Sequence, residues 1–373
     1  MLAATIRYLT DIFFDFGAVK VLPGLLKKYH VSVPLVITDK GLVNLGIIET
    51  LGIGTPFVFD QVETNPTEAM AYSALEVYRR NGCDGIVAVG GGSSLDLAKC
   101  AAMLVHHAAP LEQYAMLNGG MQKITAAIPP LIAIPTTSGS GSEVGRAALL
   151  TVKGGVKLGF ISDHLLPAAA ICDPGLTVKM PALLTAGTGM DALSHCVETF
   201  CSVRFNPVAD AIALDGLQRG YRHIMNATRN GSDLQARAEM MMCSVQGGLA
   251  FQKGLGAVHS LSHPLGALTE KQLHHGTLNA IFLPVVLRYN YDHNGDKMMA
   301  IARRLEVRDA KTLPDAFARL IHELGLPARL RDLGLTKEDL VPLAEQAKKD
   351  HCTATNPRPL DVDDCHRLYL EAW

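Results

Sequence analysis

Three short apolar runs rich in β-branched residues, Pro34-Leu-Val-Ile-Thr38, Gly85-Ile-Val-Ala-Val89 and Pro130-Leu-Ile-Ala-Ile134, punctuate the first half of the chain. Runs of this length and make-up predict buried strands, and the helical stretches at 66–80 and 94–106 predict crossover helices. Together they specify a mostly parallel α/β sheet. Such sheets bind ligands at the carboxyl ends of their strands. Two of the three runs lead there into glycine-rich segments.

The first segment is Gly90-Gly91-Gly92-Ser93-Ser94-Leu95-Asp96, and the second is Pro135-Thr136-Thr137-Ser138-Gly139-Ser140-Gly141-Ser142-Glu143. Glycines let a backbone approach a pyrophosphate, and the following helix start offers free N–H groups. Neither segment reads G-x-G-x-x-G, and a plain tight turn explains one glycine run equally well. Two at successive strand ends point to a nucleotide cofactor. Asp39 closes the first strand, where a carboxylate accepts hydrogen bonds from an adenosine ribose and repels a 2′-phosphate, favouring NAD over NADP. As a lone residue it serves equally as a turn or helix cap.

Beyond Asp173-Pro174 the β character fades, and Pro174 with Pro181 brackets a boundary between domains at 1–180 and 181–373. The second half reads as helical. Asn206-Pro207 supplies an N-cap with proline at the first helical position, Ser232 opens another helix, and Thr336-Lys-Glu-Asp339 has capping-box spacing.

This half carries one carboxylate and four histidines at informative spacing. Asp191 and His195 lie four apart, as do His259 and His263, so on helices each pair projects from one face. His275 follows across a short turn. A single histidine of this kind is an ordinary helix residue. The set, among apolar neighbours such as Leu193, Val258 and Leu261, would bury several polar groups unless an ion satisfies them. Imidazoles with a carboxylate and no thiolate suit Fe(II) or Zn(II) rather than Mg(II) or Ca(II). With nucleotide loops in the first domain and metal candidates in the second, the active site is expected in a cleft between them.

Composition removes other classes. The formal charge of −2 and the lack of a Lys/Arg block argue against a nucleic-acid partner. No uncharged apolar stretch is long enough to span a bilayer. Arg7, Asp11 and Asp15 interrupt the N-terminal apolar run, so no signal peptide is expected. The eight cysteines form no C-x-x-C pair and read as reduced thiols of a cytoplasmic protein. Cys196, beside His195, reads as a small buried apolar residue.

Several stretches carry a family resemblance: Asn65-Pro66-Thr67, the segments at 90–96 and 135–144, Gly-Met-Asp-Ala-Leu-Ser-His at 189–195 and Gly-Ala-Val-His-Ser-Leu-Ser-His-Pro-Leu-Gly at 256–266. Over nearly its whole length the chain resembles the iron-containing (group III) alcohol dehydrogenases. The resemblance implies an α/β N-terminal dinucleotide-binding domain followed by an all-helical C-terminal metal-binding domain. It implies metal ligands at Asp191, His195, His259 and His275, with His263 near the reacting centre but not on the metal. His274 competes with its neighbour, and His275 is preferred because it directly precedes glycine. Cofactor contacts would fall on Asp39, Asn65, Gly91, Gly92, Ser93, Asp96, Thr136, Thr137 and Lys157.

The activity so implied is metal-dependent, NAD(H)-linked interconversion of an alcohol with an aldehyde or ketone, using iron first and zinc as the alternative, in a homo-oligomer. His263 is expected to relay the proton. Phe251-Gln252-Lys253 departs from the small or amide residues expected there, which points away from simple alcohols. Lys253 and Arg146 are candidates for holding a substrate carboxylate, as in a hydroxy acid or semialdehyde; as solvated surface cations they would do nothing. Rival readings are a metal- and NAD-dependent carbon–oxygen lyase of the dehydroquinate synthase type, or a maleylacetate-reductase-like enzyme.

Overall fold

A computed structural model describes residues 6–373, which form two compact units. One comprises Tyr8–Thr137 with Gly141–Lys179; the other comprises Met180–Trp373 with Ser138–Ser140 and residues 6–7.

The first unit is built on six parallel strands: β1 (Asp11–Phe14), β2 (Pro34–Ile37), β3 (Phe57–Phe59), β4 (Gly85–Gly90), β5 (Leu131–Pro135) and β8 (Ala169–Cys172), in the order β1-β8-β5-β4-β2-β3. β4 is buried along its whole length, which explains its unbroken apolar run. Alternate side chains pack on opposite faces: Leu35, Ile37, Ile86, Ala88 and Ala133 enter one core, Val36, Val87, Val89, Ile132 and Ile134 the other. The helices of this unit are α1 (Leu22–Lys28), α2 (Lys40–Asn44), α3 (Glu68–Arg80) and α4 (Gly92–His106). The stretch expected at 66–80 begins two residues later, because the Thr67 side chain accepts from Met70 N and caps it. The helix expected from 94 begins earlier, with Gly91 as its N-cap.

A separate antiparallel pair, β6 (Ala147–Val152) and β7 (Val156–Ile161), was not foreseen from the sequence. Its turn holds Gly154 at φ 104° and Gly155 at φ 76°, backbone that L side chains rarely adopt.

The second unit is helical through α5 (Ala182–Cys201), α6 (Pro207–Arg229), α7 (Leu234–Ala250), α8 (Ala257–Gly266), α9 (His275–Asn290) and shorter helices after them, around one apolar core. Asn206 caps α6 as expected, accepting from Ala209 N. α7 is capped by Asp233 rather than Ser232, its carboxylate accepting from Ala236 N. Both bonds of the Thr336–Asp339 capping box form. Among the described residues, no helix is long and apolar enough to cross a membrane.

Candidate metal centre and nucleotide cradle

Asp191 and His195 project from the buried face of α5, His259 from α8, and His275 from the first position of α9. α5 and α9 approach so closely because glycines meet: a Cβ on Gly276 would lie 2.1 Å from the Gly187 carbonyl oxygen. One oxygen, Asp191 Oδ1, is the focus. It lies 3.9 Å from His195 Nε2, 3.7 Å from His259 Nε2 and 3.7 Å from His275 Nε2. His195 and His259 stack with ring centroids 4.6 Å apart.

The electrostatics suit a cation. Burial alone would raise the Asp191 carboxyl, but the surrounding histidines, His195 foremost, hold it far below the usual carboxylate range. Burial pushes His195 down to about 4. It would push His259 down too, yet hydrogen bonds to Asp191 and Glu198 lift that imidazole to about 9. The two carboxylates thus draw positive charge to the cluster, and a bound cation would take the place of the imidazole proton. Three nitrogens around one carboxylate oxygen, at the few-ångström separations that ligands of one ion share, fit a divalent metal.

His274, the neighbouring candidate, is engaged elsewhere: its Nδ1 accepts from Thr277 N at 3.3 Å and caps α9. Sequence reasoning missed two side chains that brace the cluster. Glu198 accepts from Val258 N at 2.6 Å through Oε1 and from His259 Nδ1 at 2.5 Å through Oε2. Asn279 donates to Asp191 Oδ1 at 2.7 Å, while its buried Oδ1 has no hydrogen-bond partner among the described residues. Helical spacing, three residues after His195 and four after His275, was the available signal for both.

His263 stands beside the cluster, its ring stacked on His275 at 5.5 Å and 12°. Its Nδ1 meets Asp350 Oδ2 at 2.8 Å. Burial pushes the imidazole down to about 4 despite Asp350; burial would raise Asp350, but the facing His263 and His351 and the hydrogen bonds it accepts from His263 Nδ1 and Cys352 N hold it low. A neutral ring donating from Nδ1 to an ionised Asp350 keeps Nε2 as the basic nitrogen. Nothing local in the sequence pointed to Asp350, which lies 87 residues away.

In the first unit, the two glycine-rich segments meet because β4 and β5 are neighbours, with Gly90 opposite Pro135. Thr136 N donates to Gly90 O at 3.0 Å, and a Cβ on Gly91 would meet the Thr137 side chain at 3.3 Å. Gly92 and Ser93 open α4, leaving its first N–H groups without helical partners. Asn65, at φ 55°, accepts through Oδ1 from Lys157 Nζ at 3.1 Å, so the hairpin delivers Lys157 to the Asn65 turn.

Two candidates have structural duties. Asp39 caps α2, accepting from Leu42 N at 3.0 Å. Asp96 turns its carboxylate to the second segment and the hairpin, accepting from Ser142 Oγ at 2.6 Å and Leu149 N at 3.0 Å. Behind them, buried Lys99 donates to Ser142 O, Gly145 O and Ala147 O at 2.7–2.8 Å.

The substrate-anion role considered for Lys253 is overturned. Lys253 is 2 % exposed, and its ammonium donates to Phe200 O at 3.1 Å and to Asp210. It is neither a solvated surface cation nor a free anchor. Arg146 is part-exposed and pairs with Asp163 at 3.3 Å. Cys196 is a buried thiol, and all eight cysteines are free and buried.

Residues 10–174 match the family described as iron-containing alcohol dehydrogenase, and residues 185–373 match its C-terminal domain. The chain is 49% identical over 376 residues to a 4-hydroxybutyrate dehydrogenase of Cupriavidus necator, with 98% of each chain covered. It is 38% identical to a 1,3-propanediol dehydrogenase of Citrobacter freundii, covering 97% of this chain and 96% of that one. The crystal structure of a 1,3-propanediol oxidoreductase superposes with a TM-score of 0.93 at 36% identity, covering 99% of this chain and 100% of that one. The chain belongs to the iron-containing alcohol dehydrogenase family and is a metal-dependent, NAD(H)-linked oxidoreductase of small-molecule alcohols and carbonyl compounds.

Proposed function

We propose that the enzyme interconverts a hydroxy acid and its semialdehyde, with 4-hydroxybutyrate as the first substrate to test. The focus of three imidazoles on Asp191 Oδ1 carries the alcohol-dehydrogenase chemistry. The identity to a 4-hydroxybutyrate dehydrogenase supports the acid substrate.

Asp191, His195, His259 and His275 would hold the ion, Fe(II) by family membership with Zn(II) the alternative. When bound, a divalent ion polarises the substrate oxygen and NAD(H) takes or supplies the hydride. Glu198 fixes the tautomer and aim of His259, and Asn279 orients the Asp191 carboxylate. His263, held through Nδ1 by Asp350, moves the alcohol proton at Nε2.

The NAD(H) cradle would draw on Gly91, Gly92 and Ser93 at the α4 start, on Thr136 and Thr137 beside them, and on the linked Asn65 and Lys157. Asp96 shapes that cradle from behind, and Asp39 at the end of β2 supports NAD over NADP. Eight free thiols support work in the reducing cytoplasm, and family membership supports a homo-oligomer.

Steady-state reduction of NAD and of NADP by the metal-restored enzyme, with 4-hydroxybutyrate and 1,3-propanediol in parallel, tests this reading. A higher kcat/KM for 4-hydroxybutyrate with NAD, with NADH accumulating mole for mole, is expected. A preference for the diol removes the hydroxy-acid assignment, and product formation without NADH accumulation removes the dehydrogenase assignment. His263→Ala should abolish the limb of the kcat/KM pH profile that reports the proton acceptor; an unchanged profile sinks that role.

A further inference from the structure

A second group of donors shares His263 and Asp350 with the proposed proton path, and no step of that path uses His351 or Cys352. His263, Asp350, His351 and Cys352 each offer a ligand atom, and these atoms all lie within 4.8 Å of one another. We infer that these four side chains form a second divalent-cation site, selective for Zn(II), whose occupation ties up His263.

Local structure draws the donors together. Asp350, His351 and Cys352 are consecutive at the start of a tight helical turn, and Asp350 Oδ1 accepts from Cys352 N at 2.8 Å, fixing carboxylate and thiol on one side. The other carboxylate oxygen reaches His263 Nδ1 on α8. His351 completes the group: its ring stacks on His263 at 5.8 Å and 16°, its Nδ1 is 3.7 Å from Asp350 Oδ1, and its Nε2 is 3.4 Å from Cys352 Sγ.

The chemistry of the set selects the ion. Two imidazoles, one carboxylate and one sulfur suit zinc, whose closed sites are four-coordinate with nitrogen and sulfur ligands. Magnesium and calcium, which demand oxygen throughout, are excluded. Cys352 and His263 are buried, whereas the Asp350 and His351 side chains keep 12 % and 19 % of their surface exposed, so solvent reaches the group from that side. Burial holds the Cys352 thiol protonated; a bound cation reverses that balance, and uptake releases the Sγ proton to solvent as the metal–sulfur bond forms. Once His263 Nδ1 and Asp350 are ligands, the hydrogen bond that sets the His263 tautomer is gone. Zinc at this position therefore inhibits.

Co(II) is the probe, because sulfur ligation gives a near-ultraviolet charge-transfer band and the Asp191 cluster contains no sulfur. Titrating metal-stripped wild-type enzyme anaerobically should show two equivalents bound, with the sulfur-to-cobalt band arising from one of them. Cys352→Ser should abolish the band while one equivalent still binds, and His351→Ala, at a part-exposed position, should weaken the band-forming equivalent at least about tenfold. In Asp191→Ala the band should persist although the other equivalent is lost, which separates this site from the proposed catalytic one. A single equivalent in the wild type, two equivalents without the band, or a band that survives Cys352→Ser would each overturn the second site.

Discussion

At the end of β4 the groups presented to a ligand are backbone: Gly91 and Gly92 with the first N–H groups of α4, while the nearby charged side chains Asp96 and Lys99 face inward to hold the second segment. Around Asp191 the arrangement is reversed: side chains from three helices present their ligand atoms, and the free N–H of Val258 beside His259 is taken up by the Glu198 carboxylate rather than offered to a ligand. An extended anion is met by a row of N–H dipoles, which any residue without bulk supplies. A point cation needs specific lone pairs, and each needs a partner to fix its direction. At the α4 start the charges of Asp96 and Lys99 serve the fold; in the metal cluster, side-chain charge serves the ligand.

The largest effect should come from the one place where the metal cluster also depends on backbone. Gly276→Ala would drive a methyl group to 2.1 Å from the Gly187 carbonyl, with both groups on helix backbones that cannot yield separately. Chemical denaturation should show a loss of about 3 kcal/mol or more, with metal binding lost alongside. Full stability in that variant would mean the close approach of α5 and α9 is not needed.

Glu198→Gln should act on the ligand and spare the fold. Neutralising the acceptor of His259 Nδ1 is expected to weaken metal affinity about 10- to 100-fold in a chelator competition while NADH affinity, by calorimetry, stays unchanged. Equal metal affinity would break the contrast drawn above.

Glu143→Gln should do the opposite, acting on the fold and sparing the metal. Burial pushes the Glu143 carboxyl up to about 7 from an ordinary 4.5, against the pull of Lys99. The folded state then binds that proton more tightly than the unfolded one, so its contribution to stability is greatest below pH 4.5 and is lost as pH rises through 7. Glutamine stays neutral, so the variant should be more stable than wild type at pH 8, by up to about 3 kcal/mol, and close to it at pH 4.5. Thermal melts at the two pH values check this; no pH dependence in the difference would contradict it. Metal content should not change.

What was legible in the sequence followed the range of the forces involved. The strands at 85–89 and 130–134 and the Asp191/His195 and His259 spacing are local signals and emerged within a residue, while the helices expected at 66–80 and 94–106 start two residues away, where Thr67 and Gly91 cap them. Glu198 and Asn279 lie on the same helical periodicity, but a lone carboxylate or amide on a helix face carries no ligand signal until the fold sets it against His259 and Asp191. The role of Asp350 was not legible, since only tertiary folding brings it to His263. Lys253 misled for a related reason: a lysine in a glycine-rich stretch reads as solvated, whereas Asp210 and the end of α5 bury its ammonium. The Gly154-Gly155 turn was a readable hairpin signal, and the alternating residues on either side of it were the overlooked confirmation.

The most direct test of the account is NADH oxidation with the semialdehyde of 4-hydroxybutyrate, using anaerobically purified enzyme stripped of metal and then restored with Fe(II) or Zn(II), beside His259→Ala. The account predicts turnover that disappears on stripping, returns with the ion, and falls by more than about 100-fold in His259→Ala even at saturating metal. Turnover that survives metal removal, or that is equal in His259→Ala, would contradict it.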